Sequence, residues 1–263
     1  MKSVSAILTG AVLCALIYAA PCPAALHTEM VSYGLGGETF KGYLAYDEGI
    51  KGTRPAVLVV HEWWGLNDYV KRRADQLAGR GYIAFAADIY GNGFVTKDAQ
   101  EAGKLAGRFR NDRQLLRDRV AAGFEVLLRH PLVDEKRTAA VGYCFGGTAV
   151  LELARSGAPV AGTVTFHGGL DTPTPGDAKN IRGKVLALHG ADDTFVPPPQ
   201  VAAFQDEMRK ARVDWQMVFY GGAVHSFTNP DSGSDPSRGV AYNEKADKRS
   251  WEHMRLFFAE LFR

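Results

Sequence analysis

Cysteine is scarce in this chain: there are three in 263 residues, Cys14, Cys22 and Cys144. Charge of one sign is lacking too, with 31 basic residues against 29 acidic and a net charge of +2. A polyanion-binding protein needs a concentrated basic face. The nearest approach, "KLAGRFRNDRQLLRDR", is interrupted by Asp112 and Asp118 and reads as the solvated face of a helix, so no nucleic-acid partner is expected. There is no internal repeat and no low-complexity tract. Proline, glycine and serine cluster only at 171–183, 194–200 and 228–239. Each cluster is short enough to be a loop within one domain. The chain is 46% hydrophobic and 23% charged, an ordinary globular balance.

Long apolar runs are absent apart from one at the beginning. Lys2 precedes an apolar stretch from Ala6 to Ala20, and small residues follow. This is the pattern of a secretory signal over residues 1–24, cleaved after Ala24 or Ala25. An uncleaved anchor is the other reading, but the run is shorter than the about 20 apolar residues a spanning helix requires. No stable membrane insertion is expected, and the mature protein, residues 25–263, should be a single periplasmic or secreted domain. Processing removes Cys14 and Cys22. Cys144 is then a lone thiol in a disulfide-permissive compartment, unable to form an internal bridge.

Six short, near-continuous apolar runs follow: 56–61, 82–88, 138–143, 161–167, 184–190 and 214–220. Continuous rather than alternating apolar character suits strands covered on both faces, as in a parallel sheet. Stretches with helical spacing separate them. One begins at Asn67 as a cap. Another sets Leu115, Leu116, Val120, Phe124 and Leu127 on one face and stops at Pro131. "MVSYG" and "FKGYLAY" read as an antiparallel hairpin at the sheet edge. The alternation implies an α/β fold, mostly parallel, with helices on both faces. Chemistry in such sheets gathers at the carboxyl ends of the strands.

At one such end lies "VGYCFGG", residues 141–147. Cys144 sits between Gly142 and Gly146 where a strand turns into a helix. It is either a small buried cysteine or a nucleophile on a sharp turn, whose neighbours two residues away must be small. The helix N-terminus behind it favours a thiolate, and the Phe145 N–H points to where an oxyanion would form. Downstream, "HGADDTFVP" puts Asp193 just past a strand end, with Asp192 as its solvated neighbour. "GGAVHSF" puts His225 in a loop after the last strand. The order Cys144, Asp193, His225 matches nucleophile, acid and base in hydrolases of this architecture. "HEWWGLND" follows the third strand and offers a second oxyanion donor at the Trp63 N–H, with Glu62 beside it. His61 and His189 read as buried strand-end residues. No second histidine follows His61 at metal-ligand spacing, and no metal or other cofactor is expected.

These segments, with "AADIYG", resemble the dienelactone hydrolase family of α/β-hydrolases over the whole mature chain. The resemblance implies a Cys144–His225–Asp193 triad acting on an ester or lactone. It also implies that Glu62 contacts the thiol and helps deprotonate it when substrate binds. The family's arginines for a substrate carboxylate have no counterpart here: Asn92 and Asn229 stand at those places, and an amide cannot replace a bidentate guanidinium. The anionic lactone is therefore not expected as substrate. Trp63, Trp64, Phe145, Phe195 and Phe227 suggest an apolar mouth, and Tyr90, Asn92, His167, Phe227 and Asn229 are candidate pocket residues. Two rival readings remain, a general esterase or thioesterase for apolar acyl groups and a non-catalytic binder of the same fold.

Overall fold

The computed structural model describes residues 25–263; the segment read as a secretory signal, with Cys14 and Cys22, lies outside them. The chain opens with a hairpin of β1 (Leu26–Leu35) and β2 (Glu38–Asp47). It continues through β3 (Arg54–Val60), α1 (Asp68–Ala78), β4 (Ile83–Ala87), α2 (Ala99–Asn111), α3 (Arg113–Leu128), β5 (Val133–Tyr143) and α4 (Phe145–Arg155). Then come β6 (Gly162–Phe166), β7 (Lys184–Gly190), α5 (Pro198–Ala211), β8 (Trp215–Tyr220) and α6 (Glu244–Leu261).

One eight-stranded sheet has the order β1-β2-β4-β3-β5-β6-β7-β8. The hairpin pairs antiparallel, β2 meets β4 antiparallel, and the remaining pairings are parallel. The hairpin is at the edge, as expected from the sequence. The apolar runs are continuous because successive residues serve different cores. In β3, Val57 and Val59 pack beneath α1 and α6, while Ala56, Leu58 and Val60 pack beneath α3 and α4. Each fully buried aliphatic side chain of this kind contributes about 1.5–3 kcal/mol.

Helix ends follow the side chains available. Asn67 caps α1 through Val70 N–H, Asp112 caps α3 through Leu115 N–H, and Asn243 caps α6 through Ala246 N–H. The basic run spans two helices, not one. Asp112 ends α2 and caps α3, and so turns the chain at that point. This corner brings Arg110 and Arg113 towards the carboxyl edge of the sheet, where the loops after β3, β5, β6, β7 and β8 converge around one cavity. Among the described residues no helix is long and apolar enough to cross a membrane.

Candidate active site

The turn after β5 explains its own glycines. Cys144 has φ 53° and ψ −114°, a strained conformation for a residue with a side chain. A Cβ on Gly142 would strike the Gly146 carbonyl across the turn, and one on Gly146 would strike the Val60 and His61 carbonyls of the neighbouring strand end. The strand therefore passes into α4 without a gap and lifts the Cys144 side chain above the sheet. The Cys144 N–H donates to the Phe166 carbonyl (3.0 Å), and the Gly147 N–H donates to the Cys144 carbonyl (3.0 Å). The Phe145 N–H, at the start of α4, has no acceptor among the described residues, and neither does the Trp63 N–H.

Cys144 Sγ lies 3.0 Å from His225 Nε2, and His225 Nδ1 lies 2.8 Å from Asp193 Oδ2. Asp193 is buried, and its other oxygen accepts from the Phe195 and Val196 N–H groups (2.9 and 3.3 Å). Those bonds fix the carboxylate, which fixes the imidazole. Burial would lower the His225 pKa. The negative charge of the Cys144 sulfur and the hydrogen bonds to Asp193 and Cys144 outweigh it and raise the pKa to about 10. The arrangement favours the protonated imidazole of His225. Asp192 is exposed and takes no part.

The Glu62 carboxylate is buried, and its partners are Ser226 and Asn229. Ser226 Oγ donates to Oε1 (2.8 Å) and Asn229 Nδ2 donates to Oε2 (2.6 Å). Burial pushes the Glu62 pKa up; the two hydrogen bonds and the charges of His225 and Arg73 oppose the shift without cancelling it. With Sγ bonded to His225, Glu62 acts here as the anchor of the segment that carries the histidine. Ser226 went unnoticed in the sequence, where only its place beside His225 could have drawn attention.

That segment is held from below as well. Thr228 Oγ1 lies 2.6 Å from Tyr69 Oη and 2.7 Å from His167 Nε2, and Arg73 donates to the Thr228 carbonyl (2.7 Å) and to Asp247. His167 is thus a buried member of this network and not a wall of the cavity. Burial, and then the neighbouring charge of His225, hold its pKa well below the usual value. Phe227 is likewise fully buried in the core. Asn92 is exposed, in a turn whose N–H bonds the Thr39 carbonyl, away from the cavity. Tyr90 lies behind the wall, packed on Phe109 and Phe145, with its hydroxyl on the Trp63 carbonyl (2.9 Å). It positions the Trp63 loop. Of the five candidate pocket residues, Asn229 alone lines the cavity.

His61 and His189 are buried at strand ends, as expected. His61 spans the loop, with Nδ1 on the Glu62 carbonyl (2.5 Å) and Nε2 accepting the Ile89 N–H (3.2 Å). The cavity has a volume of about 1430 Å³. Trp63, Trp64, Phe145 and Phe195 line it, so part of the expected apolar mouth is present. The rest of the rim is charged, with Arg72, Lys97, Arg110, Arg113 and Arg238 facing Asp68, Asp171, Asp231 and Asp235. The mouth is amphipathic, and the charge on it comes from α1, the α2–α3 corner and the loops after β4, β6 and β8.

Residues 40–262 match the description "Dienelactone hydrolase family". A protein of Aquifex aeolicus (strain VF5) named "Putative carboxymethylenebutenolidase" is 31% identical over 235 residues, 88% of this chain and 97% of its own. The crystal structure of a dienelactone hydrolase-like promiscuous phosphotriesterase from metagenomic libraries is 43% identical. It covers 90% of this chain and 98% of its own, with a TM-score of 0.85. The acylaminoacyl peptidase of Pyrococcus horikoshii, at 16% identity and a TM-score of 0.68, covers 88% of this chain and 41% of its own and shares the fold alone. The architecture is the α/β-hydrolase fold.

Proposed function

The chain belongs to the dienelactone hydrolase family, and from that premise we propose that it hydrolyses a carboxylic ester or lactone by covalent catalysis at Cys144. The observation that carries the reading is the unbroken chain of contacts from Cys144 Sγ through His225 to Asp193, at 3.0 and 2.8 Å. The thiolate attacks the carbonyl carbon and forms a C–S bond. The electron pair displaced onto oxygen is held by the Phe145 and Trp63 N–H groups. One donor of this kind is typically worth about 3 kcal/mol. The intermediate collapses as the His225 imidazolium gives its proton to the leaving alkoxide. Neutral His225 then takes a proton from water, the hydroxide adds to the thioester, and the C–S bond breaks. The products are the acid and the alcohol, with the thiolate restored. Asp193 keeps the imidazole in the orientation and tautomer both steps require. No cofactor enters the cycle. The apolar leader supports a place of action in the periplasm or outside the cell.

The test is a panel of aryl esters, lactones and thioesters on the mature protein, whose N-terminal sequence should begin at residue 25 or 26. Saturable turnover of oxygen esters or lactones is expected. Saturable binding of the panel with no turnover would instead favour the non-catalytic binder.

A further inference from the structure

We infer that His61 is a positioning residue, which holds the Glu62–Trp63 peptide so that the Trp63 N–H faces the cavity as an oxyanion donor. The oxyanion role rests on the hydrolase reading; the contacts of His61 do not. His61 follows β3 directly and is fully buried. The Ile89 N–H donates to its Nε2 at 3.2 Å, so that nitrogen is bare and the ring proton sits on Nδ1. Nδ1 then donates to the Glu62 carbonyl at 2.5 Å. Burial pushes the His61 pKa down, against the bond to Glu62 and the charge of Asp88, and keeps the ring in this neutral form.

The bonded carbonyl belongs to the same peptide unit as the Trp63 N–H. No peptide bond among the described residues is cis, and in a planar trans peptide the C=O and N–H point opposite ways. His61 draws the carbonyl down into the core. The Trp63 N–H is thereby turned the other way, to the side where Trp63 lines the cavity, and it has no acceptor among the described residues. The Gly65 N–H donates to the same carbonyl at 3.3 Å, but that bond lies within the turn and moves with it. Of the two donors, His61 alone ties the carbonyl to the sheet, through Ile89 just past β4. An amide whose carbonyl accepts a hydrogen bond is also a stronger donor at its own N–H. The same ring reaches the other half of the oxyanion site. It stacks on the Phe145 ring at 5.9 Å and 24°, and the His61 carbonyl is one of the atoms that a Cβ on Gly146 would strike. His61 thus joins the residues that carry the two N–H groups.

The test compares His61→Phe with His61→Asn. Phenylalanine keeps the ring and removes both hydrogen bonds. Asparagine places an amide N–H where Nδ1 stood and restores the donor to Glu62 alone. Both leave the Ile89 N–H unpaired, so a merely structural histidine would make the two variants fall together. On a 4-nitrophenyl ester, His61→Phe should lose about a hundredfold in kcat with KM within about threefold of wild type, as for a contact made only in the transition state. His61→Asn should recover kcat to within about tenfold of wild type, although it too unfolds at a lower temperature. Hexyl trifluoromethyl ketone reads the same donors without a leaving group. The Cys144 sulfur adds to its carbonyl carbon, a C–S bond forms, and the π pair moves onto oxygen, where the two N–H groups hold it. Its inhibition constant should rise about a hundredfold in His61→Phe and recover in His61→Asn. A third measurement needs no variant: NMR of the ring nitrogens in wild type should show His61 protonated at Nδ1 and bare at Nε2 at neutral pH. Equal losses in the two variants, a loss in KM instead of kcat, or a proton on Nε2 overturns the assignment, and ester turnover by wild type then leaves the hydrolase standing. Wild type that cleaves no ester and takes no ketone overturns the hydrolase and with it the oxyanion role of His61.

Discussion

Cys144→Ala should abolish ester turnover, lowering kcat by about 10⁵–10⁶ towards the level that oxyanion donors and binding alone can supply. The size follows from the chemistry, because alanine offers no atom to attack the carbonyl and the covalent route closes. Asp193→Asn should cost about 10⁴ in kcat, since an amide in place of the carboxylate presents the wrong hydrogen-bonding partner to His225 Nδ1. It should also move the pH profile. His225 must be protonated to serve as acid for the leaving group, and its pKa of about 10 places the alkaline limb of the wild-type profile there. The imidazolium is present below that pH and lost as pH rises through it. The bond to Asp193 is one of the causes that raise this pKa, so in Asp193→Asn the limb shifts to lower pH. Steady-state kinetics from pH 6 to 11 on a single aryl ester measure both effects. An alkaline limb that stays in place would remove Asp193 from the relay.

The second large effect is structural. Gly146→Ala should destabilise the protein by about 3 kcal/mol, the upper end for overpacking a close-packed site, and lower the melting temperature by about 6–12 °C. The added methyl meets the Val60 and His61 carbonyls, which are backbone and cannot rotate away. Relief requires α4 to shift from β3. Such a shift separates Cys144 and the Phe145 N–H from the Trp63 loop, so turnover should fall as well. Gly107→Ala is the control: it lies in α2, where an added Cβ meets nothing within 4 Å, and alanine there should stabilise the helix by roughly 0.5–1 kcal/mol. Thermal unfolding of the two variants decides the matter. Equal melting temperatures would mean that the turn is not close-packed at Gly146.

The framework was legible because its signals are local and repeat. Continuous apolar runs mark strands buried on both faces. Asn67 marks a helix start. Glycines two residues either side of Cys144 mark the strained turn, and the order of Cys144, Asp193 and His225 placed all three at strand ends. The walls of the cavity were less legible because a motif does not tell which way each neighbour points. Within 225–229, His225, Ser226 and Asn229 line the cavity, with Ser226 and Asn229 also bonded to Glu62, while Phe227 enters the core and Thr228 joins Tyr69 and His167. Positive φ at Ser226 (57°) breaks the alternation that a strand would have imposed. The separation of α2 from α3 was hidden for another reason. Helix α2 buries only Ala102, Ala106 and Phe109, a narrow stripe in a run dominated by charge. With the run read as one helix, the corner at Asp112 that carries Arg113 to the cavity could not be placed. Glu62 was found by resemblance, but its partners Ser226 and Asn229 depend on a fold-back of more than 160 residues.

The covalent step is tested most directly by intact-mass analysis of the protein quenched in acid within the first turnover of a 4-nitrophenyl ester. The expected result is a mass increase equal to the acyl group, mapped by peptide fragmentation to Cys144. A burst of one nitrophenolate per protein should accompany it. Steady turnover with no acyl group at Cys144, or with the acyl group on another residue, would contradict it.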